Sequence, residues 1–297
     1  MLQANRVGYL DAQSFLCSSS DGLIICVSRP LNGDFAVCNV STGQRIFLPT
    51  LVHNQDCALL LGFDSESKRY KVLMSRRIRA EYKHWVFTVG VDKSWREIKN
   101  YCSSPFYPCV GYDYPYYSNT CAYIDGVIYS YNSVTERNMV PRYHIVAFEV
   151  GCESFSVITL PDKVLPPYYF HRNSALLAVG GRPTIVLVPE LGRREGLRSM
   201  NVWTWEKSKE CWEEITMTIP LKWSRMINNA RLLRFATNHD GEIVLLCIYR
   251  EQFFILVGNL TSGVWRKFDV SGVEEFPIFS CWEVTLHNVV DHVFPLE

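Results

Sequence analysis

Five times along the chain, an alternating apolar segment ends in a polar turn and resumes with a bulky residue just ahead of further apolar positions. The copies are FAVCNVSTGQRIFLP (35–49), WVFTVGVDKSWREI (85–98), IVAFEVGCESFSVITLP (145–161), VWTWEKSKECWEEI (202–215) and FILVGNLTSGVWRKFDV (254–270). Flanks rich in Val, Ile, Phe and Trp at a period of two predict paired strands rather than helices. The turns carry Ser-Thr-Gly, Asp-Lys-Ser, Gly-Cys-Glu, Ser-Lys-Glu and Thr-Ser-Gly, whose glycines and short polar side chains favour tight reversals. In front of most copies lies a second pair of short strands, within 59–75, 120–132, 175–188 and 233–249, with DGLIICVS (21–28) preceding the first. The steps Asp125-Gly126, Gly180-Gly181 and Asp240-Gly241 suit two-residue hairpin connections.

The residue after each turn is Arg45, Trp95, Phe155, Trp212 or Trp265, at steps of 50, 60, 57 and 53 residues. Four strands per roughly 55 residues, repeated five times, predict an all-β, β-propeller-like (kelch-like) fold with five or six four-stranded blades. A lone four-stranded sheet leaves both faces open, and stacking blades buries them against one another. Trp95, Phe155, Trp212 and Trp265 are then structural repeat positions that pack between blades. A double β-sandwich is the competing architecture, but it does not account for the spacing. The first unit shows about three strands, near 23–28, 35–38 and 45–48. The strand pattern FSCWEVTLHNVV (279–290) is expected to pair with N-terminal strands and complete a closing blade. LKWSRMINNARL (221–232) reads as a loop or a single helical turn. The domain organisation is a short N-terminal segment, 1–17, followed by the repeat domain, 18–297.

Composition narrows the function. Lys+Arg and Asp+Glu are 30 each, so the formal net charge is zero. A general nucleic-acid or anionic-membrane binder needs a basic excess. No apolar run approaches the ~20 residues that span a bilayer. The N-terminus has no basic segment leading into an apolar one, so it does not read as a secretory signal. The 11 cysteines include no C-x-x-C pair. They read as free thiols of a reducing compartment, cytoplasmic or nuclear, several of them acting as small hydrophobes.

Candidate chemistry is sparse. Asp64, Glu66, Asp113, Asp125 and Asp240 are loop or turn acids, a placement that local hydrogen bonding explains without catalysis. The seven histidines are dispersed, and His287 and His292 on a strand would face opposite ways. No metal site and no cofactor is expected. Two basic runs, RRIR with Arg76 and Arg77 and GRREGLR with Arg193 and Arg194, are expected between strands. There they either steer an acidic partner or keep strand edges soluble. The run YCSSPFYPCVGYDYPYY (101–117) brings together Tyr107, Tyr112, Tyr114, Tyr116 and Tyr117. Its prolines predict a loop. PPYYF (166–170) adds Tyr168 and Tyr169. Tyrosines in such loops either form a protein-binding hot spot or fold back and seal the propeller channel.

Several motifs, in order, resemble the F-box-associated domain of plant F-box proteins, in its type 3 form. They are DGLIICVS; the turn Asn39-Val40-Ser41-Thr42-Gly43, which lacks the family's proline; and Gly62-Phe63-Asp64 followed by Tyr70-Lys71-Val72-Leu73. VFTVGVDKSWREI, AYIDGVIYSYN, IVAFEVGCESFSVITLP, HDGEIVLL and the terminal DHV (291–293) continue the series. The resemblance implies a non-enzymatic, protein-binding module that selects targets for cullin–RING (SCF-type) ubiquitin ligases. The target protein is unknown. The family's domain normally follows an F-box of ~45 residues that docks the ligase adaptor; residues 1–17 are too few to hold one, so adaptor docking is expected only if an F-box is supplied. The alternative function is an enzyme on a propeller scaffold, such as a glycoside hydrolase, which would need two carboxylates across a pocket.

Overall fold

The expected hairpins form in the computed structural model, which describes residues 2–3, 14–20, 23–28, 35–39, 42–50, 57–78, 81–99, 107–108, 120–134, 142–161, 163–164, 174–189, 199–230, 232–238, 240–249 and 252–271. Among these residues the chain is all-β apart from one helix, with five sheets whose consecutive strands pair antiparallel. The first sheet holds β2 (Ser14–Ser20), β3 (Leu23–Ser28), β4 (Phe35–Asn39) and β5 (Arg45–Phe47). The second holds β6 (Cys57–Asp64), β7 (Arg69–Ile78), β8 (Glu81–Thr88) and β9 (Arg96–Glu97). In the third, β12 (Val127–Val134), β13 (Arg142–Glu149) and β14 (Ser154–Thr159) follow one another, and two short strands, β10 (Tyr107–Pro108) and β11 (Cys121–Ile124), both pair with β12. The fourth holds β15 (Ser174–Val179), β16 (Arg182–Leu187), β17 (Ser199–Glu206) and β18 (Cys211–Thr218). The fifth runs from β19 (Leu232–Thr237) through β20 (Ile243–Tyr249) and β21 (Gln252–Gly258) to β22 (Trp265–Ser271), and β1 (Leu2–Gln3) lies parallel to β22 at its edge.

Two expectations change. The first sheet has a fourth strand, β2, which the pattern missed because SFLCSSS is mostly serine and carries no apolar period. The segment 221–232 forms a two-turn helix, α1 (Leu221–Asn228), rather than a loop or single turn. Its side chains Trp223 and Ile227, four positions apart, are buried on one face. The strand pattern at 279–290 lies outside the described residues. At the other end of the chain it is β1, against β22, that places the N-terminus on the last sheet.

The described strands fall into two compact units. In the unit formed by the first three sheets, the second sheet is buried on both faces. Leu59, Leu61, Val72, Met74 and Phe87 pack with Phe35, Val37 and Leu48 of the first sheet. The alternate positions Leu60, Leu73 and Val86 pack with Ile128, Phe148 and Val150 of the third. That is why CALLLGFD reads as an unbroken apolar run rather than an alternation. Each fully buried leucine there contributes about 1.5–3 kcal/mol. In the other unit, Val186, Val202 and Met217 of the fourth sheet and Phe235, Leu245 and Phe254 of the fifth share a core with Trp223 of α1. Cys38, Cys57 and Cys247 are buried free thiols, and burial pushes the Cys247 thiol up to about 12.

Candidate binding surface

The hairpin turns show what their polar residues do. Asn39 and Asn259 accept backbone N–H groups from Thr42, and from Thr261 and Ser262, through their side-chain oxygens. The fifth residue of each turn, Gly43 or Gly263, adopts a positive φ of 75° or 68°. The equivalent positions in the third and fourth sheets are Glu153 (56°) and Glu210 (51°), side chains held where glycine is at ease.

The segment Gly62-Phe63-Asp64…Tyr70-Lys71-Val72 fastens the second sheet to the third. A Cβ on Gly62 would lie 2.6 Å from Val150 Cγ2 and 3.0 Å from Ile128, so only glycine lets the sheets approach. Tyr123 donates its hydroxyl to the Phe63 carbonyl at 2.9 Å and accepts the Gly126 N–H at 3.1 Å. Asp64 caps its own turn, accepting from the backbone N–H groups of Glu66 and Ser67 and from the Ser67 hydroxyl. The buried Lys71 ammonium reaches across to donate to the carbonyl of Val150 at 3.0 Å and to Glu153 Oε1 at 3.1 Å, and it pairs with Asp64 Oδ2 at 3.1 Å. Arg96 closes the cluster with two bonds to Glu153, at 2.7 and 2.8 Å. Burial pushes the Asp64 carboxyl up, but bonds from Ser67 and Lys71 and the two backbone N–H groups outweigh it and hold it at about 2. The Arg96 hydrogen bond, and after it Lys71, hold Glu153 below the usual carboxylate range against the cost of burial. Beside them, His84 is buried, with Nδ1 2.8 Å from the Ser75 hydroxyl and its ring 5.0 Å from that of Phe155; burial lowers it to about 4.

The repeat positions divide into two kinds. Trp95 Nε1 donates to the Pro49 carbonyl of the first sheet's exit at 2.8 Å, and Trp265 Nε1 to Thr218 of the fourth sheet at 2.8 Å. Phe155 packs on Phe148 and on His84 of the second sheet. Trp212 stacks at 5.3 Å on Trp205, directly across its own hairpin.

The candidate partner-binding residues are placed as follows. Arg76 and Arg77 are not between strands, as expected, but inside β7, because the β7–β8 ladder continues past the apolar positions through polar ones. Its last pairs are Arg76 with Lys83, Arg77 with Tyr82 and Ile78 with Glu81. β6 pairs its first residue, Cys57, with Arg76. Tyr107 is also in a strand rather than a loop: β10 pairs Tyr107 with Ser133 and Pro108 with Asn132. The prolines of the run had argued against any strand, but β10 is an edge strand, where proline is tolerated. β10 lies against β7 within one unit. Tyr112, Tyr114, Tyr116, Tyr117, Tyr168, Tyr169, Arg193 and Arg194 lie outside the described residues.

Of the turn acids, Asp113 lies outside the described residues. Asp64 and Glu66 belong to the β6–β7 turn, Asp125 to the β11–β12 turn and Asp240 to the β19–β20 turn. No helix among the described residues is long and apolar enough to cross a membrane. The family model of the F-box associated beta propeller domain matches residues 3–293. The chain is similar to F-box protein At3g57590 of Arabidopsis thaliana, 30% identical over 95% of this chain and 68% of that one. It is also similar to F-box proteins At1g30790 and DOR of the same plant, each 26% identical, over 87% and 82% of this chain. It spans 64% and 58% of the length of those two relatives. A crystal structure of puromycin hydrolase matches 88% of this chain and 40% of its own at 8% identity, with a TM-score of 0.50, a likeness of fold alone.

Proposed function

Because the chain belongs to the F-box associated beta propeller family, we propose that it is a protein-binding module that selects target proteins for ubiquitination by an SCF-type ligase. The observation that carries this reading is the family match across residues 3–293, joined to relatives that are themselves named F-box proteins. Three of the described acids, Asp64, Glu153 and Glu242, are held in ion pairs within the sheets, which favours binding over catalysis for them. Asp64 and Glu153 are spent on the ion cluster between two sheets. Glu242 is spent on Arg266, Asn238 and Asn259. A hydrolase of sugars needs two carboxylates free to face a substrate. The sheets act as a stiff frame that displays strand ends and loops to a target. In this reading the adaptor is engaged through an F-box, the work is done in the cytoplasm or nucleus, and neither nucleic acid nor membrane is bound.

Affinity capture from plant extract tests the proposal, using the chain alone and the chain fused behind an F-box. The expected result is the same target with both baits, adaptor only with the fusion, and ubiquitination of the captured target only with the fusion. Adaptor bound to the chain alone, or glycoside cleavage by it, would overturn the reading.

A further inference from the structure

Helix α1 buries one face and leaves the other to solvent. Trp223, Ser224 and Ile227 are buried, and Trp223 and Ile227 belong to the core beneath. Leu221, Lys222, Arg225 and Asn229 are exposed. At 3.6 residues per turn these four fall within an arc of about 100°. Leu221 is 69% exposed, more than any other large hydrophobic residue among the described ones. Elsewhere the exposed and half-exposed cations Lys83, Arg96, Arg182, Lys209 and Arg266 each meet a carboxylate. Lys222 and Arg225 meet none; the Lys222 ammonium lies 4.2 Å from the centre of the Trp223 ring. Lys222 also stands in the first turn, where the helix dipole disfavours a cation, and neither an acidic residue nor a side-chain cap at Pro220 offsets it. Residues 215–239 hold Lys222, Arg225, Arg231 and Arg234 without a single Asp or Glu, in a chain whose net charge is zero. That acid-free run is the sequence signal of this face, and the helix sets Lys222 and Arg225 on one side of it.

We propose that the outward face of α1 is a docking surface for an acidic segment of a partner protein. The proposal deepens the target-binding reading and rests on it. Arg225 offers a guanidinium fork that a carboxylate can meet in two charge-assisted hydrogen bonds. Lys222, three positions earlier and on the same side of the helix, offers a second charge within reach of the same segment. Leu221 supplies apolar surface beside them. A short segment with two acids flanking an apolar residue matches the charge and the width of this arc. An anionic membrane fits less well, because a helix that lies on one inserts its apolar face, and here Trp223 and Ile227 are spent on the core. A nucleic acid also fits less well, because two exposed cations on a neutral chain lack the long-range positive field that phosphate backbones demand.

The test is fluorescence anisotropy on the whole chain with a fluorescein-labelled 12-residue peptide of glutamate and leucine. Peptides with lysine or glutamine in place of glutamate, a thymidine oligonucleotide and phosphatidylserine vesicles serve as comparison probes. The glutamate peptide should bind, more weakly as salt rises, while the comparison probes do not. Lys222→Glu with Arg225→Glu should weaken binding about tenfold or more. Lys222→Arg with Arg225→Lys should retain most of it. Lys207→Glu, in the exposed turn at the far end of β18, should leave it unchanged. Both cations are exposed, so their reversal should leave the fold intact, and a thermal melt checks this. If the reversed chain does not fold, Lys222→Gln with Arg225→Gln takes its place, with a loss of binding again expected. No binding of the glutamate peptide, binding indifferent to the charge change in a folded variant, or equal binding of the oligonucleotide or the vesicles overturns the inference. Target capture that survives the reversal sinks this inference alone. Peptide binding without ubiquitination of any captured protein sinks the target-selection reading alone.

Discussion

Single atoms decide how closely the second and third sheets approach. Gly62→Ala would put a methyl group 2.6 Å from Val150 Cγ2. Overpacking of this kind costs about 1–3 kcal/mol, so the variant should show a lower urea midpoint; an unchanged midpoint would mean that the sheets separate freely. Glu210 offers the opposite case. It is exposed and sits at φ 51° in the β17–β18 turn, a conformation unfavourable to a side chain. Glu210→Gly removes that strain but loosens the unfolded chain, leaving a net gain of up to about 1 kcal/mol. Differential scanning calorimetry should record a higher melting temperature, and a fall would show that the Glu210 side chain holds the turn in some other way. The resemblance quoted Gly62, Asp64 and Lys71 as a motif, but their roles are not legible in it. The partners Val150 and Glu153 lie in another sheet, far along the chain, and no local pattern announces them.

Paired strands show which sequence signals report structure. The third-to-fourth-strand hairpins were legible because alternation and turn residues agree in all five copies. β2 was not, because serine hides its period, and Arg76 and Arg77 were taken out of β7 because charge reads as loop. Backbone pairing does not require apolar side chains, so a ladder continues past the last hydrophobic position when the partner strand continues too. The candidate surface was therefore half legible: both the basic run and Tyr107 were singled out, but their places in β7 and β10 depend on pairing with β8 and β12. The contact between the second and third sheets also sets an acid response in two stages. Below pH 6.5 an unfolded chain protonates His84, whereas the folded chain resists until about 4, so stability falls as pH drops across that interval. Below 3.8 the unfolded chain protonates Asp64, whereas the folded carboxylate stays ionised to about 2, and a second loss follows. Urea midpoints measured from pH 7 to 2.5 should show both. His84→Gln, neutral throughout, should abolish only the upper stage; a slope that persists there would assign it to another group.

On the scale of the whole molecule, the N-terminal strand belongs with the last sheet. Leu2 is aligned with Val270 and Gln3 with Ser271, so β1 covers this edge of β22. Deleting residues 1–6 should lower the melting temperature and favour self-association through β22, visible by light scattering after size exclusion. A monomer of unchanged stability would show that β1 protects nothing. The same pairing sets a schedule for synthesis. At roughly 5–20 residues per second, Val270 leaves the ribosome tens of seconds after Leu2. Throughout that interval the opening strand has no partner, and the edge it will cover does not yet exist. A cell making this protein must therefore keep Leu2 and Gln3 out of wrong pairings until Val270 and Ser271 have emerged.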